Sequence, residues 1–172
     1  MTGRPDHPLS GKLALVALCG DLVIAIDAML LYEIRRAEDT PARAIQYGML
    51  GLDLDGQLVP GWDLGELLEL GPCANAWAIV DLPGLDRRVG FRIGRCFNVQ
   101  PLPVCRAITR GSLLGRVGRL DAVAAGFSVA AIPELVGYVS GVVIDLARVL
   151  SDHELAALAK LGADGRGAIL EA

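Results

Sequence analysis

The chain has 172 residues, of which 53% are apolar, with a mean hydropathy of +0.47 and a net charge of −4. This length allows one compact domain or two very small ones, with a sizeable core. The acidic balance, with a pI of about 5.1, argues against a nucleic-acid-binding module. The high apolar fraction predicts either an unusually complete core or an apolar surface that a partner covers.

The sequence shows no pattern that indicates metal, cofactor or nucleophilic chemistry. Its four cysteines have no Cys-x-x-Cys spacing, which predicts reduced and mostly buried thiols; they are Cys19, Cys73, Cys96 and Cys105. The two histidines, His7 and His153, lie in a polar arm and a helix cap, without a nearby nucleophile. The run Asp53-Leu54-Asp55-Gly56 lacks the further ligands of a calcium loop. We therefore expect a protein that is not an enzyme and that binds no metal or cofactor.

Targeting and membrane signals are also missing from the sequence. No basic region followed by an apolar segment opens the chain, so we expect no signal peptide. The longest uncharged stretch, Ala122–Pro133, is too short for a membrane-spanning helix. The sequence therefore predicts a cytoplasmic protein that does not insert into a membrane.

The first part of the chain predicts an arm followed by a β-hairpin. Residues 1–10 contain glycine and two prolines and are expected to form a mobile arm. The apolar segments Lys12–Cys19 and Leu22–Ile26, joined by Gly20-Asp21, predict a hairpin. Ala28–Ile34 follows, either as a helical turn or as a strand.

The strongest local signals lie in the middle of the first half. Tyr47–Leu54 alternates weakly, and Asp55-Gly56 after it predicts a two-residue hairpin turn, because glycine tolerates positive φ. Pro60 has no N–H for a ladder, so its strand is expected to lie at a sheet edge or to bend there. Asp63 is expected to cap a short helix over Gly65–Leu70.

The remaining elements are mostly strands. Runs of β-branched and aromatic residues predict them at Ala76–Leu82, Arg88–Val99, Ala122–Ile132 and Leu135–Leu146. Ser151 and Glu154 form a capping box that begins one convincing helix. The whole pattern predicts an all-β chain of barrels or sandwiches with one C-terminal helix.

Charge is distributed unevenly along the chain. Residues 1–85 carry a net charge of −7, residues 86–120 carry eight arginines and one aspartate, and residues 121–172 carry −4. A chain with an acidic and a basic part can associate head to tail with its own relatives. A solvated arginine-rich face is the alternative reading of the same pattern.

Several of these segments, taken in order, resemble the CheW family of chemotaxis coupling proteins. Asp53–Leu64 resembles the family's hairpin glycine, proline and Asp-Leu helix, and Ile24–Ile34 resembles its second strand and Val-Arg-Glu-Ile segment. Arg88–Ile93 resembles a later glycine-containing strand, and Val142–Leu150 resembles the closing strand and Asp-Leu end. The similarity covers roughly residues 12–150.

The resemblance implies a fold and a function. The fold would be two Src-homology-3-like five-stranded β-barrels side by side, at about residues 11–72 and 73–150, with a helix and tail at 151–172. The function would be a non-enzymatic scaffold that joins chemoreceptor cytoplasmic tips to the regulatory domain of the histidine kinase CheA. Other CheW-like proteins are further expected partners, because barrels of neighbouring domains contact one another in that family.

The expected partner-binding surface is a small set of residues: Tyr32, Glu33, Asp53, Asp55, Gly56, Pro60, Arg92 and Arg95. Two of them depart from the family pattern, since Tyr32 and Asp55 stand where it has arginines. An acid at the hairpin would turn an attraction into a repulsion if the partner surface were unchanged. Two alternatives therefore stay open: a structural subunit of a non-chemotactic complex such as a motility machine, and a small enzyme with an unrecognised site.

Overall fold

The computed structural model describes residues 7–46, 48–108 and 117–163. The first six strands are β1 (Leu13–Cys19), β2 (Leu22–Asp27), β3 (Leu31–Arg36), β4 (Ala42–Gln46), β5 (Met49–Leu54) and β6 (Gln57–Asp63). The other six are β7 (Ala76–Asp81), β8 (Arg88–Ile93), β9 (Cys96–Pro101), β10 (Cys105–Arg106), β11 (Val123–Ser128) and β12 (Ser140–Ile144). A short helix α1 (Leu64–Leu67) follows β6, and α2 (Asp152–Ala163) follows the last strand.

Within the described residues, the strands form two six-stranded sheets. The terminal sheet has the order β10-β11-β12-β2-β1-β9, and the central sheet has the order β3-β7-β8-β6-β5-β4. The expectation of an all-β chain with two subdomains and a C-terminal helix is confirmed, with six strands in each sheet where five were expected. Among the described residues no ladder joins the two edge strands of either sheet. The sheets do not follow the expected ranges 11–72 and 73–150, because β1 and β2 pair with the strands after β8.

Alternation along the strands distributes the apolar side chains among three cores. In β1, Leu15 and Ala17 enter a core shared by both sheets and α2, whereas Ala14 and Val16 enter a second core under the terminal sheet. A third, smaller core lies in the central sheet around Trp77. Strands buried on both faces have no polar alternation, which accounts for much of the high apolar fraction. Among the described large apolar residues, those more than four-fifths exposed are Met29, Val136 and Val139.

The two predicted hairpin turns are both present. Gly20 (φ +57°) connects β1 to β2, and Asp55 (φ +54°) and Gly56 (φ +87°) connect β5 to β6. Two consecutive residues with positive φ give a turn whose twist matches that of the flanking strands. The segment after β2 contains both expected structures, a 3₁₀ turn at Ala28–Leu30 and then β3.

The strand that contains Pro60 is not an edge strand, because β6 lies between β5 and β8. The register of the strands explains why a proline is tolerated at this position of β6. Hydrogen-bonded and non-hydrogen-bonded pairs alternate away from the two-residue turn, so the pair Pro60–Gly51 is a non-hydrogen-bonded one. On its other side, the parallel pairing with β8 begins only at Gly61 and Gly90. The missing N–H of Pro60 therefore removes no ladder bond.

Both predicted helix caps are formed. Asp63 accepts a hydrogen bond from the N–H of Glu66 (3.2 Å), although α1 begins at Leu64 and is shorter than expected. At α2, the N–H of Glu154 donates to Ser151 Oγ (3.4 Å), and the N–H of Ser151 donates to the Glu154 carboxylate (2.5 Å). This is the reciprocal pattern of a capping box.

Three expectations involve residues at the ends of the described ranges. Part of the expected arm is tied to the fold, because the N–H of His7 donates to the carbonyl of Cys105 (2.8 Å). Residues 1–6 of the arm, residues 109–116 of the arginine-rich stretch and residues 164–172 of the tail lie outside the described residues. Within the described ranges, no helix is long and apolar enough to cross a membrane.

Candidate partner-binding surface

A charged trio joins β3 to the β5–β6 turn. Arg35 Nη2 donates to Asp55 Oδ2 (2.7 Å), and Arg35 Nε donates to Glu33 Oε1 (2.7 Å). The hydrogen bond from Arg35 holds the pKa of the Asp55 carboxyl below its ordinary value. The side chain of Asp55 is 82% exposed and that of Arg35 is 24% exposed, so the trio presents mainly carboxylate to solvent. The net charge of the trio is negative, because it contains two carboxylates and one guanidinium.

The trio exists because the central sheet curls strongly. Strand β3 lies at one edge of this sheet, and β5 lies next to the opposite edge. Glu33 and Arg35 pair with Ile79 and Trp77, two residues of the small third core, so their side chains lie on the face towards which the sheet curls. Twist accumulated over six strands brings the far hairpin back over that face. Arg35 was not among the residues predicted for this surface, because no local sequence pattern places it beside a turn twenty residues later.

The turn itself is held by Asp53, another of the expected site residues. The N–H of Gly56 donates to Asp53 Oδ1 (2.9 Å), which closes the loop on its own side chain. Asp53 and Gly56 therefore have an identified structural role at the tip. They set the direction in which the exposed Asp55 points.

Tyr32 lies beside the trio in a β-bulge. Leu31 pairs with Val80 and Glu33 with Ile79, so Tyr32 is an extra residue without a partner in β7. A bulge re-aims the side chain of the residue it adds. The guanidinium of Arg88 lies 3.4 Å from the centre of the Tyr32 ring. Tyr32 remains 53% exposed, which leaves much of this aromatic–cation pair available to a partner.

A notch of about 490 Å³ continues this surface between β6 and β8. Leu58, Pro60, Asp81 and Arg88 contribute to its lining. The notch forms because β6 and β8 pair only from Gly61 onwards and diverge before it. Leu58 is 54% exposed there, next to the Arg88–Asp81 ion pair (3.4 Å). The notch thus offers an apolar floor with charges at its rim.

Arg92 and Arg95 lie in other surroundings. Arg92 Nε donates to the buried carboxylate of Asp63 (3.0 Å), and Arg92 Nη2 forms an ion pair with the same oxygen atom, Oδ2 (2.9 Å). The Arg92 guanidinium lies 5.5 Å from the centre of the Trp77 ring. Arg95 is exposed on the connection between the two sheets, with its guanidinium 5.1 Å from the Phe97 ring. Arg92 therefore has a structural role in the packing of the central sheet. Arg95 is not part of the trio.

We name the hairpin surface after its β5–β6 turn and define it by six residues: Tyr32, Glu33, Arg35, Asp55, Leu58 and Arg88. It combines exposed apolar groups with fixed charges of both signs, a mixture typical of protein interfaces. Among the described residues, no group of three or more histidine, cysteine or acidic side chains could hold a metal ion. The arrangement is suited to contact with another protein.

Comparison with known proteins identifies the fold. No protein-family model and no curated protein sequence matches the chain. Among solved structures, the chain is similar to the scaffolding protein TtCheW from Thermoanaerobacter tengcongensis, with a TM-score of 0.63 and 14% sequence identity. The match covers 84% of this chain and 95% of that protein. The chain therefore has a CheW-like fold, with a sequence that is only 14% identical to that of TtCheW.

Proposed function

We propose that this protein is a non-enzymatic scaffold of a bacterial chemosensory or related signalling array, coupling receptors to a CheA-type histidine kinase. The observation that carries the proposal is the fold likeness to a scaffolding protein over 84% of this chain and 95% of that protein. A scaffold acts through surfaces alone, and a cytoplasmic location would give it access to the kinase and to receptor tips.

The hairpin surface is the proposed kinase- or receptor-binding region. Asp55 stands where the resemblance expects an arginine, and Arg35 holds it in place. A partner that fits this surface should carry a basic group opposite Asp55, since matching of opposite charges sets specificity. The notch beside Leu58 would receive an apolar side chain of the same partner.

Analytical ultracentrifugation with the regulatory domain of the host's CheA-like kinase tests this proposal. We expect a complex with a dissociation constant in the micromolar range, typical of signalling contacts. Arg35→Ala releases Asp55 and Glu33 from their common partner, and it should weaken the complex about tenfold.

The matched control is Arg36→Ala, the next residue of β3. Arg36 is 77% exposed in its side chain and its ion pair with Glu38 is loose, with Nη1 3.7 Å from Glu38 Oε1. We expect this variant to bind as the wild type does. Equal weakening by both variants, or no complex with any CheA-like kinase or CheW-like protein, would contradict the proposal.

The acidic turn supports a second candidate, a structural subunit of a non-chemotactic complex such as a motility machine. Asp55 and Tyr32 change the charge of the surface at the two positions where the resemblance expects arginines. The genomic neighbourhood distinguishes the candidates, because a chemosensory scaffold should be encoded near receptors and a kinase. If the protein is a structural subunit of a non-chemotactic complex, affinity capture from the host should recover other subunits of that complex in place of a kinase.

A further inference from the structure

Two thiols from different sheets meet inside the molecule. Cys19 is the last residue of β1 in the terminal sheet, and Cys73 lies in the loop between α1 and β7 of the central sheet. Their sulfur atoms are 3.6 Å apart, and both cysteines are reduced. Fifty-four residues separate them in the sequence, so the contact is a product of the tertiary fold.

The surrounding backbone holds both cysteines at this junction. The N–H of Cys73 donates to both carboxylate oxygens of Asp63 (3.1 and 2.9 Å). On the other side, a Cβ at Gly20 would lie 2.7 Å from the carbonyl oxygen of Leu70, so the turn after Cys19 packs directly on the loop before Cys73. These backbone contacts hold the two sulfur atoms close together, so that a bond between them needs no large rearrangement of the fold.

We propose that Cys19 and Cys73 are a peroxide-sensitive pair that closes into a reversible disulfide linking the two sheets. A covalent S–S bond is about 2.05 Å long, so the sulfurs need to approach by about 1.5 Å. Rotation of the two side chains can supply a movement of this size.

Cys73 is the sulfur that reacts first. It keeps 4% of its surface exposed whereas Cys19 has none, which admits a small uncharged oxidant such as hydrogen peroxide to Cys73 alone. Hydrogen bonds from the Cys19 thiol and from the N–H groups of Gly20 and Gly65 hold the pKa of Cys73 below its ordinary value. The same contact and burial raise the pKa of Cys19, which therefore stays a thiol and acts as the donor. The thiolate is the nucleophilic form of cysteine.

The reaction proceeds in two steps. The Cys73 thiolate attacks one peroxide oxygen, an S–O bond forms, the O–O bond breaks, and the departing hydroxide takes a proton to become water. The Cys19 sulfur then attacks the Cys73 sulfenic acid, an S–S bond forms, and the hydroxyl leaves as water with the Cys19 proton. In total two thiols lose two electrons and two protons, and one peroxide is reduced to two waters.

Peptide mapping of the full-length chain tests the pair directly. Trypsin places Cys19 on the peptide Leu13–Arg35 and Cys73 on the peptide Ala44–Arg87, whereas Cys96 and Cys105 share the peptide Cys96–Arg106. The chain is treated with hydrogen peroxide, its remaining thiols are blocked, and the linked peptides are identified by mass spectrometry. We expect loss of two of the four thiols, a link between the first two peptides, and full reversal by dithiothreitol.

Two controls make the result specific. Cys96→Ser changes a half-buried thiol whose sulfur contacts the carbonyl of Gly94, and it should leave the link unchanged. Cys73→Ser should abolish it; if this variant does not fold, the wild-type chain unfolded in guanidinium chloride serves instead and should form the link in far lower yield. Links to the Cys96–Arg106 peptide, retention of all four thiols, or equal yield from folded and unfolded chain would overturn the proposal.

Discussion

At the scale of single residues, the Asp63 carboxylate has more hydrogen-bond partners than the local sequence predicts. Its position in the sequence predicts a helix cap, and the hydrogen bond from the N–H of Glu66 confirms this. The buried carboxylate also receives the N–H of Cys73 and the guanidinium of Arg92, residues ten and twenty-nine positions away. A cap is a local feature that spacing reveals, whereas these two partners depend on how β6, β8 and the loop after α1 come together.

We predict that Asp63→Ala destabilises the protein by about 2–4 kcal/mol. It leaves Arg92 without its carboxylate and the N–H of Cys73 without an acceptor, and such losses at buried sites cost this much. Urea denaturation measures the change. Asp86→Ala, at a carboxylate that is 94% exposed, should stay within about 0.5 kcal/mol of the wild type. A cost of Asp63→Ala no larger than that of Asp86→Ala would contradict the assigned role.

At the scale of elements, the parallel pair β6–β8 depends on two facing glycines. Gly61 and Gly90 are in register, and a Cβ on Gly61 would lie 2.6 Å from Leu52 Cδ1 and 2.8 Å from the Gly90 carbonyl oxygen. The three atoms nearest to a Cβ on Gly90 would all belong to side chains, at 3.2 to 3.4 Å. The local sequence predicted β6 as a strand, but its parallel partner was not predictable, because that pairing joins segments about thirty residues apart.

We predict that Gly61→Ala costs about 1–3 kcal/mol, since an added methyl must displace backbone as well as a core side chain. Gly90→Ala should cost less, because side-chain tips can move aside. Thermal unfolding of both variants gives the order. A larger loss of stability for Gly90→Ala than for Gly61→Ala would contradict the prediction that the closer packing lies at Gly61 in β6.

The attachment of α2 gives an element-scale prediction about pH. Burial alone would raise the pKa of the Glu154 carboxyl, but hydrogen bonds from Arg119 and Ser151 outweigh it and lower the pKa to about 2. A pKa below its ordinary value of 4.5 means that the ionised carboxylate stabilises the fold above about pH 4.5. This contribution is lost as the pH falls from about 4.5 through about 2.

The matched variants Glu154→Gln and Glu134→Gln isolate this effect. Glu134 is exposed in a 3₁₀ turn, so its change should leave the acid-unfolding profile near that of the wild type. Glu154→Gln should be less stable at neutral pH and should lose its difference from the wild type as the pH approaches 2. Helical circular dichroism across this range provides the measurement, and a difference that persists unchanged at pH 2 contradicts the assignment.

At the scale of the whole molecule, the division of the chain between sheets was the least predictable feature. The hairpins, both caps and the all-β class follow from residues close in sequence. The terminal sheet, however, joins β1 and β2 to strands more than seventy residues later, while the central sheet occupies the chain between them. No local signal encodes that insertion, and the same limit hid Arg35 as the partner of Asp55. Family resemblance predicted a two-subdomain architecture, and the strand pairing shows which strands each sheet contains.

The most direct test of the scaffold proposal is co-sedimentation of the kinase with the host's receptor-containing membranes. A scaffold binds receptor and kinase at once, so its two contacts raise the effective concentration of one for the other. We predict that the kinase sediments with the membranes when this protein is added, and remains in solution when it is omitted. Equal sedimentation of the kinase with and without the protein would contradict the account.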